Sequence, residues 1–508
     1  MQTPPGLDLT AREPRPALGR GAAAPPVWRA WWLVHAGVWT LAAWASRGNL
    51  DLAGDMVENY VWGIEWQRGY AKHPPLFAWV SAAWFSVLPR ADWAYFALSA
   101  LNAALGLAGV AALASRFMAR ERAMVAALLL AVSPLYTTLA IKFNANAVLL
   151  SVWPWAAVFF VAHMQGGRRR DAAACGALTA LALLGKYFSV VLVIALVLAA
   201  LAVPAWRARL RGAGPWVALA AAALVLAPHL AWLVEHQFLT LRYASQRSEG
   251  EFGAALLRLA NYTVAQVGYL LPSALLLWFA VAPGRRREAV VLMLRGLGQP
   301  ARQAPLWWLA LAPMIAVAAV AASARLPMAS VWGMAQWFAL PALWLAVLAA
   351  QGITPRTGAL RRALPVYWAA VLLLGGVVGY VEAQRGAPGA VEPRAELAHA
   401  VHRLWRERTG RDLPIVAGAG ATTMSIVFYG SRPTRWWNPG DPATTPWLGA
   451  ADWQRDGGVI VCADADGACR DLARQLTLAA PTGLTVRKQA WGLDLPAYRY
   501  QVFVQPPA

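Results

Sequence analysis

The sequence predicts a polytopic α-helical membrane protein with a small α/β domain at its C-terminal end. Of its 508 residues, 59% are hydrophobic and only 14% are charged, and the mean hydropathy is +0.44. Soluble domains carry nearer a quarter charged residues. Long apolar runs recur from Trp28 to about Tyr380, which is typical of membrane-spanning helices. The composition changes after about Val381, where a separate domain is expected.

The N-terminal tail is rich in Pro, Gly and Arg, so residues 1–26 are predicted to be disordered and cytoplasmic. The first apolar run has no convincing small-residue cleavage site after it, and we interpret it as a retained span. The net charge of +20 does not indicate nucleic-acid binding. The Arg residues cluster in short loops between apolar runs, as membrane topology requires.

Placing all basic clusters inside satisfies the positive-inside rule and predicts about eleven spans of roughly 20 residues each. The membrane domain is expected over residues 27–381. Its spans are expected at residues 27–46, 93–114, 123–141, 146–164, 172–186, 187–205, 215–234, 256–282, 305–323, 331–350 and 364–381.

One apolar segment, Leu76–Leu88, is too short to span and suits a re-entrant or interfacial position. The whole of Ser46–Asp92 is therefore expected on the outer face, with short helices lying along the membrane. Four sparse basic residues also fall outside or at the outer boundary, against the positive-inside trend. They are Lys142, Lys186, Arg242 and Arg325.

Residues 382–508 are predicted to form a periplasmic α/β domain. An amphipathic helix is expected at 392–408, with Leu397, Val401 and Leu404 on one face. Strands are expected in PIVAGAG, GGVIVCAD and YRYQVFV, and helices at about 421–428 and 470–479. The segment GAGATT lacks the Lys-Ser/Thr of a P-loop and the spacing of a Rossmann turn, so a structural or lid role is favoured.

The sequence contains three cysteines, and two of them could form a disulfide. Cys175 lies in an apolar run and is expected to be inert. Cys462 and Cys469 flank the sequence ADADGA. A disulfide suits a periplasmic domain, but the spacing fits a reduced pair nearly as well.

The segment GDMVENYVWGIEWQRGYAKHPPL concentrates charge beside the first span. Read as a helix, it places Asp55, Glu58 and Trp62 on one face, with the acids toward a cavity. The opposite side is apolar and consists of Val57, Val61 and Ile64, as expected of an interfacial helix. A solvated acidic face on a loop helix is an equally good interpretation of the spacing alone.

Several cations on the predicted outer face are candidates for binding a phosphate. Lys72 and His73 precede two prolines that stiffen the chain, and both could contact phosphate, although Lys72 could equally snorkel to lipid headgroups. Lys186 lies between two apolar segments, where a lone ammonium is costly and usually functional. Arg325 is the fourth candidate.

Polar and aromatic side chains near these charges are expected to line a substrate cavity. This set comprises Tyr60, Trp62, Tyr70, Asn144, Asn146, Tyr187 and His229. Each asparagine could instead cap the fourth span, and His229 could simply pack between helices. The sequence has no H-E-x-x-H, C-x-x-C or G-x-S-x-G motif, so neither a metal nor a cofactor is expected.

The order of these motifs resembles the bacterial branch of glycosyltransferase family 39 in the GT-C superfamily. That branch is related to protein O-mannosyltransferases and to the aminoarabinose and galacturonic acid transferases of lipid A. The resemblance covers about residues 28–350. The motifs that carry it are D-x-x-E beginning at Asp55, then GY-x-KHPPL, KFNAN, LLGKY and PHLAWL.

The resemblance implies an inverting transferase of the bacterial inner membrane, acting at its periplasmic face. The donor would be a polyprenyl phosphate carrying one sugar, the acceptor lipid A or another envelope molecule, and the protein a monomer among membrane lipids. Asp55 would be the base, with Glu58 as the second catalytic acid. The chemistry agrees, because a hydroxyl acceptor needs a base in reach and a leaving phosphate needs cations. Lys72, His73 and Lys186 are then expected at the phosphate, with Arg325.

The chain departs from the aminoarabinose transferases in two places. They carry an acid and a lysine before Pro-Pro, where this chain has Lys72 and His73. They also have an Asp at the position of Asn144 or Asn146, so the donor contacts are expected to differ. KHPPL with FNAN is closer to the lipid A uronic-acid transferases.

Two other functions remain open on the sequence alone. A transporter or lipid flippase would place its site near the bilayer midplane, often between internal repeats, and no convincing repeat is present. A surface-polysaccharide ligase or polymerase would use the same type of donor with a longer glycan.

Overall fold

The computed structural model describes residues 30–245, 251–298, 305–326, 328–430, 434–477 and 479–508. The tail predicted to be disordered, residues 1–26, lies outside the described residues. The chain divides into two compact units. The first unit comprises Met1–Gly37, Ser99–Ile141 and Ala145–Ala369, and the second comprises Val38–Leu98, Lys142–Asn144 and Ala370–Ala508.

Within the described residues, six helices are long and apolar enough to cross a membrane. They are Asp92–Ala114, Leu149–Gly166, Gly214–Glu235, Phe252–Ala280, Pro305–Ser323 and Thr357–Gln384. A bent pair, Ser330–Trp337 and Leu340–Ala350, adds a seventh if its two parts, which meet at 47°, form one span. These seven coincide with seven of the predicted spans, and the chain is a multi-pass membrane protein.

The other four predicted spans correspond to shorter helices, and the count of eleven stays a prediction. These helices are Trp31–Ser46, Arg120–Ala131, Arg169–Gly185 and Val190–Ala202. The expected span at 123–141 is not one continuous helix. It ends at Ala131 and is followed by a 3-10 turn at Pro134–Tyr136, because Pro134 cannot continue the helical hydrogen bonding.

A buried amide network holds the bent pair in the first unit. The Gln266 side chain accepts from Trp337 Nε1 at 3.0 Å and donates to the Ser330 carbonyl at 2.8 Å. The Gln336 amide donates to Gln266 Oε1 at 3.4 Å, and both glutamines are 1% exposed. Buried polar groups need such partners, so the network fixes the Ser330–Trp337 turn against the helix that carries Gln266.

The second unit contains a five-stranded sheet. The strands are β1 (Ile415–Ala417), β2 (Arg435–Trp437), β3 (Gly458–Ala463), β4 (Thr482–Arg487) and β5 (Ala497–Gln505). Their order is β2-β1-β3-β5-β4. β1 is parallel to β2 and β3, whereas β5 is antiparallel to β3 and β4.

The three strands predicted from the sequence are confirmed as β1, β3 and β5. The predicted helices are confirmed as Arg394–Thr409, Gly420–Tyr429 and Gly467–Leu476. β2 and β4 were not predicted. β2 is as short as β1 but begins with the charged Arg435 and so does not form an apolar run, and β4 alternates between exposed and half-buried positions.

The sheet and its helices enclose an apolar core. Leu397 and Val401 of the first helix are buried as predicted, while Leu404 is only half-buried. Cys462 and Cys469 form a disulfide with a Cα–Cα distance of 5.5 Å. Of the two states that the sequence left open, the structure therefore has the oxidised one. The bond joins β3 to helix Gly467–Leu476. Cys175 is a free, buried cysteine.

Candidate active site

The helix that carries both candidate catalytic acids is Asp55–Gly63, which we call the acid helix. Gly54 precedes it with φ 82°, a left-handed conformation that glycine adopts without steric cost. The Asp51 carboxylate caps the helix, accepting from the backbone N–H of Asp55 at 2.9 Å and of Met56 at 2.8 Å. These bonds satisfy donors that a helix start leaves unpaired.

The Asp55 carboxylate forms an ion pair with Lys142. Lys142 Nζ lies 2.9 Å from Asp55 Oδ2 and 3.1 Å from Asp51 Oδ2. Asn144 Nδ2 also donates to Asp55 Oδ2, at 3.3 Å. The Asp55 side chain is 42% exposed, whereas that of Asp51 is 6% exposed. Asp55 is therefore held by two side chains and remains partly exposed.

The two carboxylates beside Lys142 keep its ammonium group charged. Burial alone lowers the pKa of Lys142, but the carboxylates of Asp51 and Asp55 outweigh that effect and raise it overall. Lys142 therefore keeps its positive charge beside Asp55.

The segment Lys142–Asn144 is fixed to the acid helix at each of its three residues. Lys142 and Asn144 bind the Asp55 carboxylate. Between them, the Phe143 carbonyl accepts from Asn59 Nδ2 at 2.7 Å, and Asn59 is 3% exposed. The residues that fix the acid helix thus lie about 85 positions after it in the sequence.

Glu58 pairs with Lys72 rather than facing an open cavity. Lys72 Nζ lies 2.6 Å from Glu58 Oε1 and 5.6 Å from the centre of the Trp62 ring. Burial raises the pKa of Glu58, and Lys72 partly offsets this effect. His73 is half-buried and meets the Phe77 ring edge-on at 5.7 Å. Phosphate binding by Lys72 and His73 stays a prediction.

Three aromatic residues expected to line the cavity are buried instead. Tyr60, Trp62 and Tyr70 are each at most 1% exposed. Trp62 stacks on Tyr70 with ring centroids 5.1 Å apart and donates Nε1 to the Thr444 carbonyl at 3.1 Å. Tyr60 lies edge-on to Phe428 at 5.2 Å.

The prediction that Trp62 shares an open face with the acids is therefore wrong. Helical spacing placed the acids together correctly, but it could not reveal that residues near Thr444 cover the end of the helix. The apolar side is likewise buried inside the unit, since Val57 and Val61 are both 1% exposed. Neither residue is free to face lipid.

A second group of predicted site residues lies in the first unit, around Lys186. Lys186 separates helix Arg169–Gly185 from the 3-10 turn Tyr187–Ser189. Its Nζ donates to Asn146 Oδ1 at 2.6 Å and lies 4.4 Å from the centre of the Trp332 ring. An amide oxygen and an aromatic face thus fix a cation where the sequence predicted one.

The two asparagines of KFNAN do not cap the fourth span with their side chains. Helix Leu149–Gly166 begins after them, and its N-cap residue is Val148. The Asn144 side chain instead binds Asp55, and the Asn146 side chain binds Lys186. A role of either asparagine in a substrate cavity stays a prediction.

Tyr187 and His229 are joined by a bond of 2.6 Å between the phenolic oxygen and Nε2. His229 is 1% exposed and stacks on Trp232 with ring centroids 5.9 Å apart. In this structure His229 is therefore a buried residue packed against aromatic neighbours. Arg325 is exposed just beyond helix Pro305–Ser323, with φ 50°.

Sequence reasoning missed three residues of these groups. Lys142 did stand out as a basic residue on the predicted outer face, but it was not assigned to the site. Asp51 gave no signal, because it acts on a helix that begins four residues later. Trp332 approaches Lys186 from a distant part of the chain. In the part of the chain that the structure describes, no three His, Cys, Asp or Glu side chains gather as metal ligands.

Comparison with known proteins bears on the family and the fold. The profile of a family described as dolichyl-phosphate-mannose-protein mannosyltransferase matches residues 72–232. No curated protein matches the sequence. The structure of ArnT from Cupriavidus metallidurans, crystallised with undecaprenyl phosphate, is similar with a TM-score of 0.61 and 16% identity. The match covers 94% of this chain and 98% of that one.

The Archaeoglobus fulgidus oligosaccharyltransferase is a more distant structural match. Its complex with zinc and sulfate has a TM-score of 0.45 and 13% identity, covering 80% of this chain and 62% of that one. The ArnT match extends over nearly the whole chain and shows the fold, while the family profile covers the segment from Lys72 to Trp232. This chain therefore has the fold of the ArnT structure, and its segment 72–232 is similar to the mannosyltransferase family.

Proposed function

We propose that this enzyme transfers a single sugar from a polyprenyl-phosphate donor to lipid A or another cell-envelope acceptor. The reaction takes place at the periplasmic face of the bacterial inner membrane and inverts the anomeric carbon. The observation that carries the proposal is the Asp55 carboxylate, partly exposed and held by Lys142 and Asn144. The undecaprenyl phosphate bound to the structurally similar ArnT supports a donor of this class.

In the proposed reaction Asp55 is the general base. Its carboxylate takes the proton of the acceptor hydroxyl as that oxygen attacks the anomeric carbon. The bond from that carbon to the donor phosphate breaks on the opposite face, and the phosphate leaves with the electron pair. The products are the glycosylated acceptor and free polyprenyl phosphate, with the transferred proton on Asp55.

Cations stabilise the phosphate as its negative charge develops. Lys186 is the first candidate, because Asn146 and Trp332 already hold its ammonium in one place. Lys72, His73 and Arg325 are assigned to the same donor as further contacts. Glu58 supports this group by holding Lys72 at 2.6 Å.

The first experiment identifies the product. Lipid A and surface glycans from cells with and without the gene are compared by mass spectrometry, which reveals the sugar and the acceptor. The Asp55→Asn variant is then expressed in the cells that lack the gene. We expect the modification to fall by a factor of roughly 10²–10⁴ while the protein level is unchanged.

The matched control is Asp471→Asn, which removes a carboxylate from the same unit at a side chain that is 67% exposed. It should leave the modification intact. Full modification with Asp55→Asn would exclude Asp55 as the base. Cell-envelope glycans that do not depend on the gene would count against the proposed acceptor class.

A further inference from the structure

A hairpin between β4 and β5 of the second unit ends in an unusual turn. Trp491 has φ 58° and Gly492 has φ 68°, and the N–H of Leu493 donates to the Ala490 carbonyl at 3.0 Å. Positive φ at both central residues is the geometry of a type I′ turn, in which Asn-Gly is strongly preferred. A bulky side chain at the first position is disfavoured, so the tryptophan calls for a separate explanation.

The hairpin is anchored to the end of helix Thr357–Gln384. Apolar residues beside the turn pack on Ala383 in a small buried cluster. The residues that come from the hairpin are Ala490, Leu493 and Leu495. This packing fixes the turn with Trp491 at its tip.

The Trp491 ring extends along that helix toward its apolar middle. Its centroid lies 6.3 Å from that of Tyr380, at 82°. A Cβ added to Gly376 would lie 4.0 Å from Trp491 Cη2. Gly376 and Tyr380 are four residues apart and share one helix face, so the indole lies alongside two successive turns.

The charge pattern of this helix locates the ring relative to a bilayer. Residues 364–381 carry no charge and lie between Arg362 and Glu382. At about 1.5 Å per residue this run approaches the roughly 30 Å hydrocarbon thickness of a bilayer. Gly376 lies five residues before the end of the run, or about 8 Å inside it.

The helix surface near the ring is apolar and exposed. The exposed side chains are Leu373 (70%), Leu374 (60%), Val377 (50%) and Val378 (46%). Trp491 itself is 47% exposed. Its open side thus continues the surface that this candidate span presents to lipid.

We propose that Trp491 is a membrane anchor, through which the C-terminal α/β domain inserts its hairpin tip into the bilayer interface. Tryptophan favours this layer because its ring is amphipathic. Contact with lipid accounts for a large aromatic residue in a turn that prefers asparagine. The inference depends on the membrane topology of helix Thr357–Gln384 and not on the assignment of Asp55.

The test places a fluorescent bimane label at Trp491→Cys in a Cys175→Ser background. The full chain is reconstituted in nanodiscs, with or without lipids brominated along the acyl chain. Thr485→Cys, an exposed position on β4, is the matched control. Bromolipid should quench the label at 491 roughly twofold more than the label at 485, as expected for an interfacial side chain. Equal quenching at both sites would overturn the proposal.

A measurement on the unmodified chain guards against misfolding of the cysteine variant. Nanodiscs containing a lipid with a diazirine in its acyl chain are irradiated and digested with trypsin. The peptide 489–499, which contains Trp491, should carry a lipid adduct, and the peptide 456–470 from β3 should not. A peptide 489–499 without an adduct, beside labelled peptides from helix Thr357–Gln384, would refute the anchor.

Discussion

Lys142 and Asp55 form an ion pair of 2.9 Å, and the same ammonium lies 3.1 Å from Asp51. Asp51 in turn caps the helix on which Asp55 stands. One cation therefore links the proposed base to the residue that starts its helix. Lys142 thus contributes both to the position of Asp55 and to that of the residue that caps its helix.

Replacing Lys142 with Met should impair transfer while the chain still folds. Without Lys142 the Asp55 carboxylate loses an ion-pair partner that positions it. We therefore expect roughly a tenfold loss in kcat/KM, equivalent to about 1.4 kcal/mol. Lys142→Arg, which keeps the charge, should retain more activity. Wild-type kcat/KM in Lys142→Met would remove this cation from the mechanism.

Lys186 and Trp332 allow the proposed donor site to be tested separately. Lys186→Ala should lower kcat, because the leaving phosphate loses a cation. Trp332→Leu should lower kcat/KM roughly fivefold, since a cation–π contact contributes about 1 kcal/mol. Trp332→Phe keeps an aromatic face and should lose less. Steady-state kinetics at varied donor concentration distinguish these outcomes, and identical kinetics for Leu and Phe would exclude the ring contact.

His402 should make the second unit sensitive to acid. Burial lowers the pKa of His402 to about 4, with further lowering from Arg90, His399 and Arg406. The unfolded chain takes up this proton near pH 6.5, so the stability is full above pH 6.5 and falls as the pH drops toward 4. Thermal unfolding from pH 7 to 4 should show a shallower loss in His402→Gln. An equally steep loss would mean that other groups set the acid response.

The disulfide between Cys462 and Cys469 should stabilise the sheet. It joins two cysteines separated by seven positions, for which loop-closure entropy gives roughly 2 kcal/mol. The double variant Cys462→Ser/Cys469→Ser should therefore melt at a lower temperature, and reductant should lower the melting temperature of the wild type only. Equal melting temperatures with and without reductant in the wild type would contradict this role.

Local sequence patterns predicted the parts of this fold that depend on local physics. Long apolar runs predicted seven helices of membrane-spanning length, counting the bent pair as one, and short apolar runs predicted the central strands β1, β3 and β5. The break at Lys186 was also visible, because a single ammonium divides two apolar segments. Each of these signals lies within about 20 residues of the feature that it predicts.

The contacts that complete the site are long-range and left no local pattern. Trp62 is buried by residues near Thr444, and Lys142 reaches Asp51 across about 90 positions. Helical spacing could show which residues of the acid helix share a face, but not which face the rest of the chain would cover. The pairing of Glu58 with Lys72 was hidden for the same reason.

The bonds that hold the acid helix also set an order of assembly. Its C-terminal end is held by the Thr444 carbonyl, which binds Trp62, and by Arg435, which binds Glu65 at 2.6 Å. The ribosome adds these partners about 370 residues after the residues that they hold. A chain that stops before Arg435 lacks both bonds. The contacts of the acid helix are therefore complete only after residues 435–444 have been synthesised.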